Sequence, residues 1–263
     1  MERKRADVRL VELNLAPSRE KAKALIMAGQ VLCGTQRIEK PGELVEEEAP
    51  LTVKEHLPYV SRGGLKLEKV IREKSLVLQG LTCVDVGAST GGFTDCMLQH
   101  GAQKVYAIDV GYGQLDYRLR QDERVTSWER TNIRYFDPEK IPEPVGFVSI
   151  DVSFISLSLV LPVVKEILAE KARFVALIKP QFEAGREKVG KKGIVRDSKV
   201  HLEVLQKVDS LLEQLDLCPL GYFVSPIHGT QGNKEFLVYG EKSPYHPLDV
   251  DFSALVKEEP DAS

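Results

Sequence analysis

The 263-residue sequence predicts an α/β protein in which a seven-stranded, mostly parallel sheet follows a small α+β domain. Five apolar segments alternate with helical segments, which is the pattern of parallel strands covered by helices on both faces. Two more apolar segments near the C-terminus are joined by a short turn, so they must pair antiparallel and give the sheet a reversed last strand. The predicted domains are residues 1–58 (small domain), 59–75 (connecting segment and short helix), 76–245 (main domain) and 246–263 (tail).

The small domain contains two helices and several short strand-like segments. One helix is predicted over residues 16–29, because Ser18 can begin it and Gly29 can end it. Leu25 and Ile26 contribute to an apolar face at helical spacing. Turn residues then separate three strand-like segments, at residues 30–34, 37–45 and 50–53. A unit of this size is too small to be a catalytic domain, but it is large enough to bind a partner.

The connection to the main domain is a glycine pair followed by a short helix, in the segment SRGGLKLEKVIREKSL from residue 61. Leu67, Val70 and Ile71 share one face of this helix. Lys66 borders that face, where a lysine is most often a surface residue whose ammonium group reaches water. Its position just before the first strand of the main domain also allows a functional role.

The main domain shows regular alternation of strands and helices. The predicted strands cover residues 82–88, 104–110, 125–130, 147–154, 173–180, 220–227 and 235–241. The predicted helices cover residues 92–100, a short segment before the third strand, a long segment that ends near Glu170, and 199–215. A parallel sheet with one reversed strand near its end is the architecture of Rossmann-like methyltransferases. Beyond Pro247 we expect a frayed tail.

Composition bounds the function. The chain is 43% hydrophobic and 29% charged, as in globular proteins, and its net charge of −3 means that nucleic-acid contacts must come from local basic patches. The N-terminus has no apolar signal segment, and the longest apolar stretch, residues 157–164, is too short to span a bilayer. We therefore expect a cytoplasmic protein without stable membrane association. The cysteines have no metal-binding spacing, which predicts reduced thiols and no metal site: Cys33, Cys83, Cys96 and Cys218.

A glycine-rich loop, VDVGASTGGF at residues 84–93, follows the first strand of the main domain. Its glycines are spaced GxxxGG, which does not fit the GxGxxG fingerprint of dinucleotide binding and resembles the loop that holds S-adenosylmethionine. Asp109 ends the second strand, where a carboxylate can accept both ribose hydroxyls. Asn132 and Ile133 follow the third strand, where they can contact adenine. The predicted cofactor-binding residues are Asp85, Gly87, Ala88, Ser89, Thr90, Gly91, Gly92, Phe93, Asp109, Val110, Asn132, Ile133 and Asp151.

Four charged residues are predicted to meet at one edge of the sheet. Asp151 ends the fourth strand and Lys179 the fifth, while Glu235 begins the reversed last strand, so all three lie at the carboxyl edge. With Lys66 they form the predicted catalytic set. Each residue alone is more commonly a surface ion pair. Together with the cofactor loop they suit methyl transfer to a ribose hydroxyl, whose proton a lysine beside carboxylates can take.

Two other methyl acceptors are disfavoured. Enzymes that methylate exocyclic base nitrogens carry [DN]PP[FY] after the fourth strand, whereas this chain has Asp-Val-Ser-Phe at residues 151–154. Enzymes that methylate C5 of pyrimidines need a cysteine nucleophile, and neither Cys83 nor Cys96 stands at a suitable strand end. These absences narrow the predicted acceptor to a ribose hydroxyl.

Basic residues occur in two groups that could meet RNA phosphates. One group lies in the small domain, where charge alone favours a solvated helix surface as strongly as a binding face. The other lies in residues 181–196, a segment that is predicted either to close on RNA or to be a mobile solvated loop. The predicted RNA-binding residues are Arg5, Arg19, Lys21, Lys23, Arg62, Arg186, Lys188, Lys191 and Lys192.

Longer motifs carry a family resemblance. LAPSREKAKALIMAGQVLCG followed by IEKPGELV resembles the S4 RNA-binding domain. YVSRGGLKL, DVGASTGGFTD, IDVSFISL, LIKPQFEAGRE, KGIVRD and SPIHGTQGNKEFL look like the TlyA family of ribosomal RNA 2′-O-methyltransferases. That family has the K-D-K-E set of FtsJ-type ribose methyltransferases, which matches Lys66, Asp151, Lys179 and Glu235.

The resemblance implies a function in detail. S-adenosylmethionine would be the cofactor, and cytidine 2′-hydroxyls in 16S or 23S ribosomal RNA, or both, would be the substrate, met as free RNA or in ribosomal subunits. Lys179 would take or steer the hydroxyl proton, Asp151 and Glu235 would orient the lysines, and Lys66 would help to place the ribose. The sequence does not predict the oligomeric state.

Two alternatives come from other functional classes. The TlyA family has also been labelled haemolysin, and a membrane-active protein would need a spanning hairpin or helices with a large apolar face, neither of which is evident in the sequence. The other alternative is an RNA-binding ribosome assembly factor with a vestigial cofactor pocket. Binding of S-adenosylmethionine separates this alternative from an enzyme.

Overall fold

The computed structural model describes residues 3–53 and 58–261, and the chain divides into two compact units, Met1–Pro58 and Tyr59–Ser263. The four cysteines lie in the described ranges as free thiols. Within those ranges, no helix is long and apolar enough to cross a membrane.

The first unit packs two helices against small antiparallel sheets. Its elements are β1 (Arg3–Arg5), α1 (Ala6–Glu12), α2 (Arg19–Met27), β2 (Val31–Cys33), β3 (Gln36–Arg37), β4 (Leu44–Glu46) and β5 (Leu51–Val53). Strand β1 pairs with β4, while β2 lies between β3 and β5. The hydroxyl of Ser18 accepts a hydrogen bond from the Lys21 amide and begins α2, and Leu10, Ile26 and Val31 are buried in the core. The strand-like segment predicted at 37–45 is divided between β3 and β4.

The second unit contains the predicted seven-stranded sheet. Its strands are β6 (Thr82–Val86), β7 (Lys104–Ile108), β8 (Val125–Trp128), β9 (Val145–Ile150), β10 (Leu168–Ile178), β11 (Cys218–Val224) and β12 (Phe236–Glu241). They lie in the order β11-β12-β10-β9-β6-β7-β8. Of these seven strands, only β12 runs in the opposite direction, antiparallel to β10 and β11, which confirms the predicted fold class and its reversed last strand.

Helices cover both faces of this sheet. They are α3 (Gly63–Lys74), α4 (Gly92–Gln99), α5 (Tyr117–Arg120), α6 (Leu161–Ile167), α7 (Pro180–Glu183), α8 (Ser198–Gln214) and α9 (Phe252–Leu255). Successive strand residues point to opposite faces. Cys83 therefore joins the core beneath α3 and α4, whereas Val84 joins the core beneath α6, α8 and α9.

The helix predicted to end near Glu170 is wrong at its end. Helix α6 stops at Ile167, and β10 begins at Leu168, which pairs with Val145 of β9. The register then shifts before Arg173, with Lys171 in the left-handed region at φ 61°. Strand pairing therefore overrides a segment whose composition favours a helix.

The expectation of a frayed tail is also wrong. Residues Phe252–Leu255 form α9, and Leu255 and Val256 are buried in the core beneath it. The ring of Phe252 meets Tyr222 edge-on with ring centres 4.9 Å apart, and the Tyr245 hydroxyl donates to Asp209 at 3.1 Å. These apolar and polar contacts hold the segment on the second unit.

Candidate active site

Four charged side chains form one connected group at the carboxyl edge of the sheet. The Lys66 Nζ donates to Glu235 Oε2 at 2.7 Å and lies 3.8 Å from Asp151 Oδ2. The Lys179 Nζ lies 2.5 Å from Asp151 Oδ1. The order of contact is therefore Glu235, Lys66, Asp151, Lys179. The structure brings together all four residues of the predicted catalytic set.

Strand geometry delivers three members of the group. Asp151 directly follows β9 and Lys179 directly follows β10, and these strands are parallel neighbours. Glu235 directly precedes β12, whose first residue, Phe236, pairs with Ile178 at the end of β10. Reversal of β12 therefore places the beginning of one strand beside the ends of two others.

Lys66 comes from a helix, and small residues let that helix approach. A Cβ atom added to Gly92 would overlap the Ser61 hydroxyl and lie 2.9 Å from the Gly64 amide nitrogen. The first turns of α3 and α4 therefore meet through glycine backbone. The Val60 amide also donates to the Asp95 carboxylate at 2.8 Å. Lys66 is consequently buried and ion-paired, unlike most surface lysines.

Burial makes the pairing of charges essential. Lys66, Lys179 and Glu235 are 7%, 9% and 2% exposed. A buried ion is costly unless an opposite charge compensates it. Here two lysines face two carboxylates, so the group is balanced without solvent.

Two cavities meet at this group. The first, of about 720 Å³, is lined by the four charged residues and by the loop after β6. The second, of about 660 Å³, is lined by residues after β7, β8 and β9, including Asp109 and Asn132. Four residues line both cavities: Gly87, Ser89, Asp151 and Ser153. A molecule in one cavity can therefore meet a molecule in the other beside Asp151.

The predicted cofactor residues are distributed between the two cavities. Asp85, Ala88, Thr90, Gly92 and Phe93 line the first. Asp109, Val110, Asn132 and Ile133 line the second. Gly91 lines neither cavity. It precedes α4 at φ 95°, where an added Cβ would overlap the Leu119 side chain, so its role is to shape the start of the helix.

The loop and the second cavity fit an adenosine cofactor. Gly87 lines both cavities at φ 83°, and a Cβ there would overlap the carbonyl oxygen of Asp151, so only glycine fits at this position. Asp109 accepts from the amides of Ser89 at 2.8 Å and Gly111 at 2.6 Å. Each carboxylate oxygen keeps a lone pair for a ribose hydroxyl. The Asn132 side-chain oxygen accepts from the Arg134 amide at 3.1 Å, which leaves its amino group as a donor.

Asp85 is a fully buried carboxyl of β6 that is hydrogen-bonded to α4 and to β9. It accepts from the Thr94 hydroxyl at 2.7 Å and from the Ser149 hydroxyl at 3.1 Å. Burial raises the pKa of Asp85 to about 7 because the charged form loses its hydration. The two hydroxyl bonds offset part of that cost.

The predicted RNA-binding residues of the first unit differ in their environment. Arg5 and Arg19 both bind the buried carboxylate of Asp7, at distances of 3.0 and 3.1 Å, and Arg5 holds the pKa of Asp7 below its usual range. These arginines therefore help to hold the fold. Lys21 and Lys23 are exposed and form no ion pair with a described residue.

In the second unit, Arg62 lines the first cavity, whereas the other predicted RNA contacts lie on the segment 181–196. Arg186, Lys191 and Lys192 are exposed, and Lys188 pairs with Glu203. The C-terminal end of the segment is hydrogen-bonded to the turn before β12.

These hydrogen bonds are made by the side chain of Asn233. It accepts from the Val195 amide at 3.0 Å and donates to the Gly193 carbonyl at 2.9 Å. The predicted mobile loop is thus anchored at its C-terminal end.

Several cavity residues were not predicted. Ser153 accepts a hydrogen bond from Lys179 at 3.1 Å, and the Glu235 carboxylate lies so close to Gly229 that a Cβ there would overlap it. The turn that joins the last two strands supplies His228, Gly229, Gln231 and Gly232. The antiparallel direction of β12 could have predicted these residues, because it places the turn before β12 at the carboxyl edge of the sheet.

Exposed aromatic rings follow three of the parallel strands, and one of them, Phe154, lines the second cavity. Phe154 is 91% exposed, is at φ 63°, and lies 5.0 Å from the ring centre of Phe182. Tyr112 and Tyr135 are also exposed and each lies under an arginine. A left-handed backbone is unusual for a bulky residue and is often found at functional sites.

Family comparison agrees with the fold. The FtsJ-like methyltransferase model matches residues 59–242, and the S4 domain model matches residues 4–50. The chain belongs to the FtsJ-like methyltransferase family, with an S4 domain before the family domain. This confirms the resemblance found in the sequence.

Particular relatives are similar over most of their length. "Putative rRNA methyltransferase YqxC" of Bacillus subtilis is 53% identical over 90% of this chain and 85% of the relative. The Mycobacterium tuberculosis protein "16S/23S rRNA (cytidine-2'-O)-methyltransferase TlyA" is 41% identical over 90% of this chain and 89% of its own. A solved structure, "Putative hemolysin from Streptococcus thermophilus", is 46% identical with a TM-score of 0.75 and covers 97% of this chain and 95% of its own.

Proposed function

We propose that this chain transfers a methyl group from S-adenosylmethionine to a ribose 2′-hydroxyl, in cytidine of 16S or 23S ribosomal RNA or both. The observation that carries this proposal is the position of Asp151 and Lys179 where the two cavities meet. One cavity suits an adenosine group, and the other contains a lysine beside carboxylates. A methyl donor and a hydroxyl acceptor can therefore be held side by side.

Residues of both cavities would hold the cofactor. Asp109 would accept the ribose hydroxyls, Asn132 would donate to the adenine edge, and Ile133 would pack on the ring. The loop that includes Gly87 and Ser89 would contact the amino-acid end. When bound, the cofactor supplies an activated sulfonium methyl group.

Lys179 is the proposed proton acceptor. Its Nζ contacts Asp151 at 2.5 Å and Ser153 at 3.1 Å. An uncharged amine that donates its two hydrogens to these acceptors has one remaining position, its lone pair. That lone pair can take the proton of a hydroxyl in the first cavity as the methyl group is transferred.

The Lys66–Glu235 pair would orient the acceptor. Glu235 binds Lys66 at 2.7 Å, and Lys66 then approaches Asp151 at 3.8 Å. Lys66 keeps a donor for the ribose, since its ammonium group has three hydrogens. Asp151 lies between the two lysines and holds both side-chain nitrogens near the reaction site.

RNA as the substrate is supported by both units. The S4 match and the exposed Lys21 and Lys23 suit phosphate contacts. In the second unit, the exposed rings of Phe154, Tyr112 and Tyr135 suit stacking of unpaired bases. Cytidine and ribosomal RNA are proposed from the name of the mycobacterial relative.

Identification of the methylated nucleoside tests the proposal. The full-length protein is incubated with isotopically labelled S-adenosylmethionine and unmodified ribosomal subunits, and the RNA is digested and analysed by mass spectrometry. The expected product is labelled 2′-O-methylcytidine. Label on a base, or binding of RNA without any binding of S-adenosylmethionine, would contradict the proposal. The second result would favour an assembly factor.

A further inference from the structure

We propose that Lys234, which is bound by the C-terminal segment, is a positioning residue for the Glu235–Lys66 pair. Residues 249–261 would then support the active site. This inference rests on the proposed function for its kinetic consequence. Neighbouring residues of an extended chain point to opposite faces of a sheet. Glu235 points to Lys66 on the α3 face, and Lys234 points to the α9 face.

The ammonium group of Lys234 is surrounded by the C-terminal segment. It donates to the Val256 carbonyl at 3.0 Å and to the Glu258 carbonyl, and it lies 3.9 Å from the Glu259 carboxylate. Two of its three hydrogens therefore have carbonyl acceptors, and the Glu259 carboxylate adds an ion pair. Its side chain is only 11% exposed. A lysine at the carbonyl end of a helix is also favoured by the helix dipole.

The same segment reaches the helix that carries Lys66. Asp261 binds Lys69 at 3.1 Å, and Lys69 is one turn beyond Lys66 on α3. Where the segment begins to contact Lys234, Leu255 and Val256 are buried in the core of the opposite face. The segment therefore links both elements that carry the Glu235–Lys66 pair.

The turn before Glu235 explains why this support is needed. The turn contains Gly229 against the Glu235 carboxylate, and Gln231 and Gly232 are both in left-handed conformations. The turn lies beyond the last paired residues of β11 and β12, although the Ser225 amide still donates to the Glu235 carbonyl at 2.9 Å. Lys234 adds a side-chain anchor from the face opposite the Glu235 carboxylate. A displacement of about 1 Å in a catalytic group can reduce turnover about 100-fold.

The chain offers a matched control at the other end of β12. Lys242 donates to the Leu168 carbonyl at 2.9 Å and pairs with Glu170 at 3.2 Å. It therefore resembles Lys234 in its partners but lies after the strand, away from the carboxyl edge. Lys242→Ala should lower the thermal stability without changing turnover.

The test compares Lys234→Ala, Lys234→Arg and Lys242→Ala in the full-length protein. For Lys234→Ala we expect faster amide hydrogen exchange in residues 228–236 and a kcat on ribosomal RNA that is lower by about 10- to 100-fold. Its Kd for S-adenosylmethionine should stay within about twofold of the wild-type value, a change of at most about 0.4 kcal/mol in the free energy of binding. Lys234→Arg should restore most of the kcat. Should Lys234→Ala fail to fold, Lys234→Met keeps the apolar stem and removes the ammonium group with its charge and hydrogen-bond donors.

Equal exchange and equal kcat in Lys234→Ala and Lys242→Ala would overturn the inference. If wild-type protein methylates no RNA, the proposed function fails. The exchange comparison still decides whether Lys234 and the C-terminal segment hold Glu235, because it does not depend on activity.

Discussion

Lys66 and Glu235 are 169 positions apart in the chain, yet their side chains meet at 2.7 Å inside the protein. The contact joins α3, which precedes the first strand of the sheet, to the residue just before β12, the last strand in the chain. Both residues are almost completely buried. The active group therefore exists only when the whole second unit has folded.

Removal of one partner of this pair should be costly. We expect Glu235→Ala to lower the free energy of unfolding by about 3–5 kcal/mol, because Lys66 keeps a buried charge without its main partner. The double variant Lys66→Met and Glu235→Leu should recover most of that loss and remain inactive. Denaturant unfolding measures both. The control Glu170→Ala removes an exposed partner of Lys242 and should cost less than about 1 kcal/mol. A similar loss in Glu170→Ala and Glu235→Ala would contradict the account.

Gly87 should be needed for more than its backbone conformation. Gly87 at φ 83° and Gly80 at φ 75° would both be strained as alanine, by about 1–2 kcal/mol. Only the Cβ of Gly87→Ala would overlap Asp151, since no described atom lies within 4 Å of the Cβ in Gly80→Ala. Calorimetry should show that Gly87→Ala weakens S-adenosylmethionine binding by more than about tenfold, or about 1.4 kcal/mol. Equal affinities for S-adenosylmethionine in the two variants would count against a role of Gly87 in cofactor binding.

Asp85 should make stability depend on pH. Its pKa rises from 3.8 in an unfolded chain to about 7 in the fold. Between these values the unfolded chain releases the proton and the folded protein keeps it, so stability falls as pH rises through this window and is constant above it. Asp85→Asn does not titrate, and its stability relative to wild type should rise by about 1.4 kcal/mol for each pH unit in the window. Unfolding measured near pH 5 and near pH 7 checks this, and a pH-independent difference would refute it.

The basic residues of the first unit should separate into two groups. The double variant Lys21→Ala and Lys23→Ala should weaken RNA binding without loss of stability. Its plot of log affinity against log salt should become shallower by about 1.4 to 1.8, the range for two phosphate contacts to single-stranded or duplex nucleic acid. Arg5→Ala should instead lower stability, because the buried Asp7 loses a charged partner. An unchanged salt slope in the lysine variant would mean that the phosphate contacts lie elsewhere.

Much of the fold and three of the four charged positions follow from sequence pattern. Asp151, Lys179 and Glu235 are adjacent to apolar strands, and strand direction alone assigns them to one edge. Lys66 is harder to predict, because its burial depends on the approach of α3 to Gly92, a contact between helices. Pattern does not encode such distances.

The remaining differences have similar causes. The C-terminal segment has too few apolar residues for a periodic signal, yet Leu255 and Val256 fill a core position that other elements create. Gly91 and Gly87 belong to the same sequence motif. Only the three-dimensional structure shows that Gly91 precedes a helix whereas Gly87 lines the two cavities. Ser153 is visible only as a partner of Lys179.

The most direct test of the central claim is methyl transfer by Lys179→Ala. In a single-turnover assay with labelled S-adenosylmethionine and ribosomal RNA, we expect transfer to fall by at least about 100-fold, because the proton acceptor is lost. Binding of cofactor and RNA should stay near wild type, and Lys165→Ala on α6 should retain full activity. Transfer by Lys179→Ala at a rate near that of wild type would contradict the account.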